Sequence, residues 1–296
     1  MEFRNAVWKL VAVALIALPA ASGADTTAPF RAGDTVAWLG GARVVAAQRS
    51  GVIEALVAGA RPEWRLRWRS LAWEGDTVFE RPRELNYPGL PDQLRASGAA
   101  VALLQFGEME SLAGPAGIAA FVAAYESLLD DIGAVVPRRI LIIPPSPPDG
   151  TRQAGDVRRS PALDAYIAAI QDLGRRLGIP VVPPGPGLDE TAWSMAVASE
   201  VSGTDAGKGV ELSGGRFAQN DWEALRRAVV ARNRLWFDYS RPMNWAFLAG
   251  DRTDQPSSRD HRDRSVRWFP KEMEQFVPLI AAADQEIWRR ADAVGR

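Results

Sequence analysis

Short apolar runs alternate along this chain with longer segments in which apolar residues recur every three or four positions. The apolar runs predict β-strands at 35–39, 64–73, 99–106, 139–143 and 179–182. Helical spacing predicts α-helices at 51–60 with the residues just before it, 90–97, 114–132, 161–177, 220–231 and 270–293. Because this alternation is typical of a parallel sheet covered on both faces, we predict a three-layer α/β/α sandwich of about five strands, followed by a C-terminal helical extension.

The loops after the predicted strands are the places where a parallel sheet of this kind binds ligands. They lie at 40–43, 72–77, 107–111 and 144–150, and we expect them to share one edge of the sheet. The sequence contains no internal repeat and no linker that would divide it into two cores. The polar stretch 251–264 mixes acidic and basic residues and predicts a surface loop.

The first 24 residues have the pattern of a secretory signal peptide. Arg4 and Lys9 precede an apolar run at 10–18, and small residues at 22–24 fit the cleavage rule. The apolar run is shorter than the roughly 20 residues that a membrane-spanning helix needs. We therefore expect residues 1–24 to be removed, which leaves an exported protein, periplasmic or extracellular, without a stable membrane span.

The composition excludes several classes of function. The 296 residues have a formal net charge of −1, which argues against a nucleic-acid-binding surface. The chain has no cysteine, so thiol catalysis and cysteine metal sites are excluded. It has a single histidine, His261, which excludes a metal site built from several histidines. We predict neither a metal nor any other cofactor.

Four sequence blocks, each after a predicted element, carry a resemblance to a known family. In chain order they are GDTVAWLGGAR, SLAWEGDTV, LLQFGEMES and GKGVELSGGRFAQND. They resemble the signature blocks of the SGNH, or GDSL, hydrolases, which are esterases with a flavodoxin-like sheet. The resemblance implies an SGNH hydrolase-like domain over residues 32–232, with residues 233–296 as a C-terminal extension packed on the same domain.

The resemblance fails at the positions that would carry ester hydrolysis. The nucleophilic serine of the family falls on Ala42, the aspartate before it falls on Gly41, and the asparagine of the oxyanion hole falls on Met109. The aspartate and histidine of the catalytic triad fall on Lys208 and Glu211. A methyl group cannot attack a carbonyl carbon, a thioether donates no hydrogen bond, and a lysine cannot orient an imidazole.

We interpret these loops as a degenerate SGNH site in which no catalytic residue is intact. The glycines of the second and third blocks remain as Gly75 and Gly107. The ligand-binding candidates around the degenerate positions are Gly41, Arg43, Glu74, Gly75, Gly107, Glu108, Glu110 and Glu211.

Two alternatives would restore chemistry to these loops. Glutamates in loops that should converge, Glu108 and Glu211 above all, are candidates for acid–base work on ester or glycosidic bonds, or for holding a hard cation. Ion pairing with Arg43 and Lys208 would instead give these glutamates a structural role. His261 is the one imidazole available as a base, but its charged surroundings favour a solvated loop residue.

Aromatic residues offer a third interpretation, binding without turnover. Trp38, Trp73 and Trp193 lie on or near the predicted loops, and indole rings stack on sugars, although buried core roles are more common for tryptophan. Residues 231–255 resemble an extension of some exported bacterial SGNH proteins, in which Arg241, Pro242 and Asn244 match an Arg-Pro-x-Asn element. We expect this element to be structural, with Pro242 setting a turn.

The sequence therefore favours an exported, catalytically inactive SGNH-like protein that binds a carbohydrate or similar polar ligand. An acylated small molecule is a further candidate ligand. An active hydrolase with an atypical site at Glu108 and Glu211 is the main alternative. A structural or partner-binding protein of the cell envelope is the second.

Overall fold

The structure is a computed structural model, and it describes residues 30–144, 162–182 and 190–295. The predicted signal peptide and residues 145–150 of the fourth loop lie outside these described residues. No helix in the described ranges has the length and apolar character needed to cross a membrane.

Five parallel strands form the central sheet of the molecule. They are β1 (Thr35–Gly40), β2 (Arg67–Ser70), β3 (Val101–Gln105), β4 (Arg138–Ile142) and β5 (Val181–Val182), and their order in the sheet is β2-β1-β3-β4-β5. All six residues of β1 are buried. Its last residue, Gly40, pairs with Gln105 at the end of β3, so the carboxyl ends of the two central strands are level. The predicted five-stranded parallel sheet is confirmed.

Helices cover both faces of the sheet. They are α1 (Ala42–Ser50), α2 (Val52–Ala60), α3 (Leu90–Ser97), α4 (Ile118–Gly133), α5 (Leu163–Leu177), α6 (Glu190–Ser202), α7 (Asn220–Ser240), α8 (Trp245–Leu248), α9 (Trp268–Met273) and α10 (Phe276–Val294). Short 3-10 turns lie at Pro62–Trp64, Glu110–Ala113, Pro115–Gly117 and Pro256–Ser258. A small antiparallel hairpin pairs β6 (Leu212–Ser213) with β7 (Arg216–Phe217).

The core forms two apolar clusters, one on each side of the sheet. One cluster packs α3, α4 and α5 against the sheet and takes in aromatic residues of the C-terminal helices, such as Trp245 and Phe269. The other packs α1, α2, α6, α7 and α10 against the opposite face, with Trp38 and Trp193 fully buried in it. The three-layer architecture predicted from the alternating pattern is therefore present.

The structure differs from the predicted elements in several places. The strand predicted at 64–73 is limited to Arg67–Ser70, and the helix predicted at 220–231 continues to Ser240. The single helix predicted around 51–60 is two helices that meet at Gly51, which has a φ of 68°. The stretch between residues 183 and 219, predicted as a long loop, contains α6 and the hairpin. The helix predicted at 270–293 is two, α9 and α10, divided after Met273.

The C-terminal extension begins inside a helix. Helix α7 continues from Asn220 to Ser240, so the predicted boundary between residues 232 and 233 falls in its middle. Arg232 of this helix is buried and contacts Glu54 of α2 and Asp284 of α10. Buried polar groups thus join the last helix to the residues before position 232.

Candidate functional site

A cleft of about 600 Å³ opens at the carboxyl ends of β1 and β3. This size lies in the usual range for small-ligand pockets. The described residues that line it are Gly41, Ala42, Arg43, Ala46, Ser50, Val52, Asp76, Gln105, Phe106, Gly107, Glu108, Met109, Glu110, Thr191, Ser194, Leu212 and Gly215. Its place agrees with the rule that parallel sheets bind ligands beyond the carboxyl ends of their strands.

The turn from β1 into α1 places Ala42 in the cleft. Gly41 precedes the helix, and a Cβ atom built on it would lie 2.8 Å from the carbonyl oxygen of Asp76. A larger residue at position 41 would therefore force the 74–76 backbone away. Ala42 begins the helix with its methyl group exposed, so nothing at this turn can attack a carbonyl carbon.

Arg43 and Glu108 form a buried ion pair in the cleft wall. Nε and Nη2 of Arg43 donate to the two carboxylate oxygens of Glu108, each at 2.7 Å. The guanidinium also lies over the ring of Trp193, 5.4 Å from its centroid. This two-point geometry fixes both side chains, so Glu108 has the ion-paired role that the sequence offered as an alternative to catalysis.

Glu110 ties two of the cleft loops together. Its carboxylate accepts a hydrogen bond from the backbone N–H of Val78 at 2.8 Å and from that of Gly107 at 2.9 Å. Burial raises the pKa of this carboxyl above its ordinary value, although both hydrogen bonds favour the charged form. With both oxygens engaged by backbone groups, Glu110 positions the second and third loops.

The structure brings some of the predicted site residues together and leaves others outside. Ala42, Met109, Gly41, Arg43, Gly107, Glu108 and Glu110 line the cleft. Glu74 and Gly75 line a neighbouring hollow that shares Asp76 with the cleft. Lys208 and Glu211 are exposed and are not among the described lining residues.

Ion pairing with Lys208 was one alternative role for these glutamates. Among the described residues, no glutamate forms an ion pair with Lys208. Glu74 pairs with Arg49 and Arg241 instead. Glu108 is fixed in the cleft wall by Arg43, whereas Glu211 is exposed and is not among the described lining residues, so these two glutamates do not line the cleft together. In the described part of the chain, no three acidic or histidine side chains are grouped so as to hold a metal ion.

Several cleft residues were not among those singled out from the sequence. Ala46 and Ser50 follow Ala42 along one face of α1, and helical spacing from Ala42 would have identified them. Leu212 enters because the 212–217 hairpin turns it inward, while Thr191 and Ser194 come from α6, the helix that the sequence analysis missed.

The tryptophans near the cleft do not offer free faces to a sugar. Trp38 is 1 % exposed and Trp193 is 0 % exposed, so both are core residues. The ring of Trp73 lies between Arg83 and Arg241, whose guanidinium carbons are 4.5 Å and 4.3 Å from its centroid. Trp38 and Trp193 thus have the buried core role expected for them, whereas Trp73 is half-buried and is held by arginine contacts and not by the core.

The C-terminal extension reaches the edge of the site through Arg241. Besides stacking on Trp73, this residue donates to Glu74 at 3.0 Å. Pro242 begins a turn in which its carbonyl oxygen accepts a hydrogen bond from the backbone N–H of Trp245 at 3.1 Å. Trp245 in turn donates through its indole to the backbone of Leu85. These contacts are structural, as expected for the Arg-Pro-x-Asn element.

His261 lies away from the cleft. Its side chain is 84 % exposed, and its nearest charged neighbour is Asp260 at 3.6 Å. Because this is the only histidine of the chain, the cleft contains no imidazole from its own protomer. A serine–histidine pair of the esterase type is therefore missing from the cleft.

Comparison with known proteins gives distant similarities of fold. No family model matches the chain, and no curated protein matches it. A gut microbial diltiazem-metabolizing enzyme is similar at 17 % identity and a TM-score of 0.41, over 56 % of this chain and 39 % of that one. The chain thus spans well under half the length of that enzyme.

Two further solved structures are similar over most of their own length. A GDSL-like lipase from Parabacteroides merdae matches at 14 % identity and a TM-score of 0.42, over 59 % of this chain and 97 % of that one. A catalytic mutant of an acetylxylan esterase from Geobacillus stearothermophilus matches at 14 % identity and a TM-score of 0.40, over 60 % and 96 %. At this distance the similarities say nothing about activity.

Proposed function

We propose that this protein binds a small ligand, a carbohydrate or an acylated small molecule, in the cleft and does not hydrolyse it. The observation that carries the proposal is the composition of the cleft at the β1–α1 turn. The residue there is Ala42, and the neighbouring Glu108 is held by Arg43 in a bidentate pair. A pocket of about 600 Å³ remains open beside them.

The hydroxyl groups of the cleft do not replace the missing nucleophile. Ser50 donates to the carbonyl of Ala47 within its own helix at 2.9 Å. Among the described residues, neither Thr191 nor Ser194 is hydrogen-bonded to a carboxylate or an imidazole that would activate it. A serine or threonine without such a partner is a poor nucleophile at neutral pH. These contacts favour binding over turnover.

A binding screen tests the proposal with two matched variants. Ala46→Phe fills the cleft from an exposed position on α1, and Ala282→Phe adds the same ring at an exposed position on α10. The purified protein is screened by thermal shift against glycans and acylated small molecules. We expect ligands that stabilise the native chain and Ala282→Phe but not Ala46→Phe, and that are recovered chemically unchanged.

Two outcomes would contradict the proposal. If no ligand depends on the cleft, and a protein partner co-purifies with both variants, an envelope assembly role is favoured. If ligands that depend on the cleft are recovered cleaved, the cleft is catalytic. Loss of that cleavage in Glu108→Gln and Glu211→Gln would then identify the atypical carboxylate site.

A further inference from the structure

The floor of the cleft is a narrow track of small side chains on α1. Ala42, Ala46 and Ser50 recur every four residues, so they lie on one face of the helix, and all three line the cleft. At a rise of 1.5 Å per residue this face is about 12 Å long. Ala42 and Ala46 expose only methyl groups along most of it. A floor of this kind is complementary to an extended hydrocarbon chain, because it is long, narrow and apolar.

The walls beside this track are also apolar. Val52 continues the floor beyond the end of α1, and Phe106 and Leu212 line the sides. Met109 lines the entrance and is 44 % exposed, which is unusual for a large apolar side chain. An unbranched thioether side chain adapts its shape to an apolar ligand. Apolar side chains thus line the cleft beside the exposed methyl groups of Ala42 and Ala46, although Val52 and Phe106 are themselves buried.

The charges in the cleft wall are already compensated. Glu108 is paired with Arg43, and Asp76 with Arg83 at 2.6 Å and 2.8 Å. Glu110 accepts two backbone N–H groups. Arg43 is the only basic side chain among the described lining residues, against three acidic ones. An anionic ligand would have to displace Glu108 from Arg43. A cationic ligand would have to displace an arginine from Glu108 or Asp76, or the two backbone N–H groups from Glu110.

Gln105 is a neutral polar residue of the cleft at the end of this helix face nearest β3. Gln105 is 2 % exposed and lines the cleft. Its Nε2 donates to Glu108 at 3.4 Å, and among the described residues no group donates to its Oε1. The orientation of this amide follows from the hydrogen-bond network around it. Its oxygen is placed to accept a hydrogen bond from a hydroxyl or amide of a ligand.

We infer that the ligand of the cleft is an uncharged amphiphile with one unbranched acyl or alkyl chain. The chain lies along Ala42 and Ala46, and a hydroxyl or amide of the head group donates to Gln105. This inference rests on the proposed binding function and narrows it to one class of ligand. It concerns binding alone and requires no bond to be made or broken.

Isothermal titration calorimetry with a set of related amphiphiles tests the inference. 1-Monooctanoylglycerol, octanoate and octylamine share chain length and differ in charge, while 1-monobutyrylglycerol shortens the chain. All are used below the concentration at which they form micelles. We expect 1-monooctanoylglycerol to bind at least about tenfold more tightly than the other three. Each buried methylene contributes a factor of about four, which separates it from the butyryl compound, and the cost of burying an unpaired charge separates it from octanoate and octylamine.

The two phenylalanine variants separate the possible failures. Binding of 1-monooctanoylglycerol is expected to survive in Ala282→Phe and to be lost in Ala46→Phe. Equal or tighter binding of octanoate or octylamine would overturn the inferred head group, and equal binding of the butyryl compound would overturn the inferred chain. If none of the four binds while another ligand depends on Ala46, this inference is wrong and the proposed function stands. If 1-monooctanoylglycerol binds and is cleaved to octanoate, the proposed function is wrong.

Discussion

Arg43 and Glu108 meet in the cleft wall through two hydrogen bonds of 2.7 Å, with side chains that are 5 % and 11 % exposed. A buried pair of this kind adds little net stability over apolar residues, but removing one partner leaves an uncompensated charge. The pair therefore fixes the shape of the cleft more than it stabilises the fold. It also engages both carboxylate oxygens of Glu108.

This account predicts non-additive effects of substitutions at the pair. Arg43→Met or Glu108→Met alone is expected to lower the free energy of unfolding by about 3 kcal/mol, since each strands a charge. The double variant is expected to lose less than either single one. Urea denaturation of the three variants measures the coupling. Losses that simply add in the double variant would show that the two side chains act independently.

At the scale of secondary-structure elements, Gly51 divides the helical segment after β1. Its φ of 68° ends α1 and starts α2, and a Cβ atom there would lie 2.9 Å from a methyl group of Val230. Gly98 after α3 has the same φ of 68°, but a Cβ atom built at Gly98 would have no other atom within 4 Å. The two glycines thus share a backbone conformation and differ in packing.

Alanine substitutions at the two glycines separate strain from close packing. Gly98→Ala is expected to cost about 1 kcal/mol from left-handed strain alone. Gly51→Ala is expected to cost about 1–3 kcal/mol more, because α7 must also move away. Thermal or urea unfolding of both variants measures the difference. Equal losses would mean that the approach of α7 places no demand on position 51.

Glu223 in the first turn of α7 gives the fold a dependence on acid pH. Hydrogen bonding from Arg226, with further bonds from Phe217 N–H and Arg227, lowers the pKa of Glu223 from 4.5 to about 2. A depressed pKa contributes stability that is present above pH 4.5 and is lost as the pH falls toward 2. The contribution is at most about 3 kcal/mol.

Comparison of the native chain with Glu223→Gln isolates that contribution. Both proteins are unfolded with urea at several pH values between pH 6 and pH 2. This range includes the ordinary pKa of 4.5 and the lowered pKa of about 2. The gap in unfolding free energy is expected to be largest at the upper end and to close toward the lower end. A gap that stays constant across this range would contradict the assigned pKa of Glu223.

Sequence patterns predicted the elements with a clear apolar signal, either a stripe along one helix face or a strand that is buried throughout. Helix α3 was predicted at its exact bounds, Leu90–Ser97, and the buried strands β1 and β3 differ by one or two residues at their ends. Helix α6 was missed because it contains many alanines and serines, which leave no clear apolar stripe along it. The break at Gly51 was missed because glycine in the left-handed conformation leaves the apolar spacing on both sides intact.

The candidate site was predictable where it follows strands and unpredictable where it depends on the hairpin. Ala42, Gly107 and Met109 directly follow β1 and β3, and they line the cleft as expected. The 212–217 hairpin turns Leu212 and Gly215 inward, while Glu211 stays exposed. Spacing along the sequence does not determine which side of a two-residue strand faces a cleft.

At the scale of the whole molecule, a buried charge network joins the first half of the chain to the last helix. Asp284 of α10 accepts from Arg69 of β2 at 2.5 Å and from Arg232 of α7 at 2.9 Å. Arg232 also donates to Glu54 of α2. The four side chains are at most 8 % exposed. The residues after position 232 therefore belong to the same cooperative core as the sheet.

Loss of Asp284 is expected to destabilise the entire molecule. Asp284→Ala leaves the buried Arg69 without its carboxylate and Arg232 with Glu54 alone, and it is expected to cost about 3–5 kcal/mol in one cooperative transition. Asp292→Ala, which breaks a pair with Arg65 whose side chains are both 38 % exposed, is the control and is expected to cost less than about 1 kcal/mol. Equal effects, or a two-step transition in Asp284→Ala, would contradict a shared core.

The central claim is that the cleft binds without hydrolysing, and its most direct test is the rate at which the purified chain cleaves an activated acetyl ester such as 4-nitrophenyl acetate. We predict that the native chain, Ala46→Phe and Ala282→Phe all release nitrophenol at the same slow rate, since an exposed methyl group stands where an attacking oxygen is needed. Release by the native chain and Ala282→Phe that is well above background, and that Ala46→Phe abolishes, would contradict the claim.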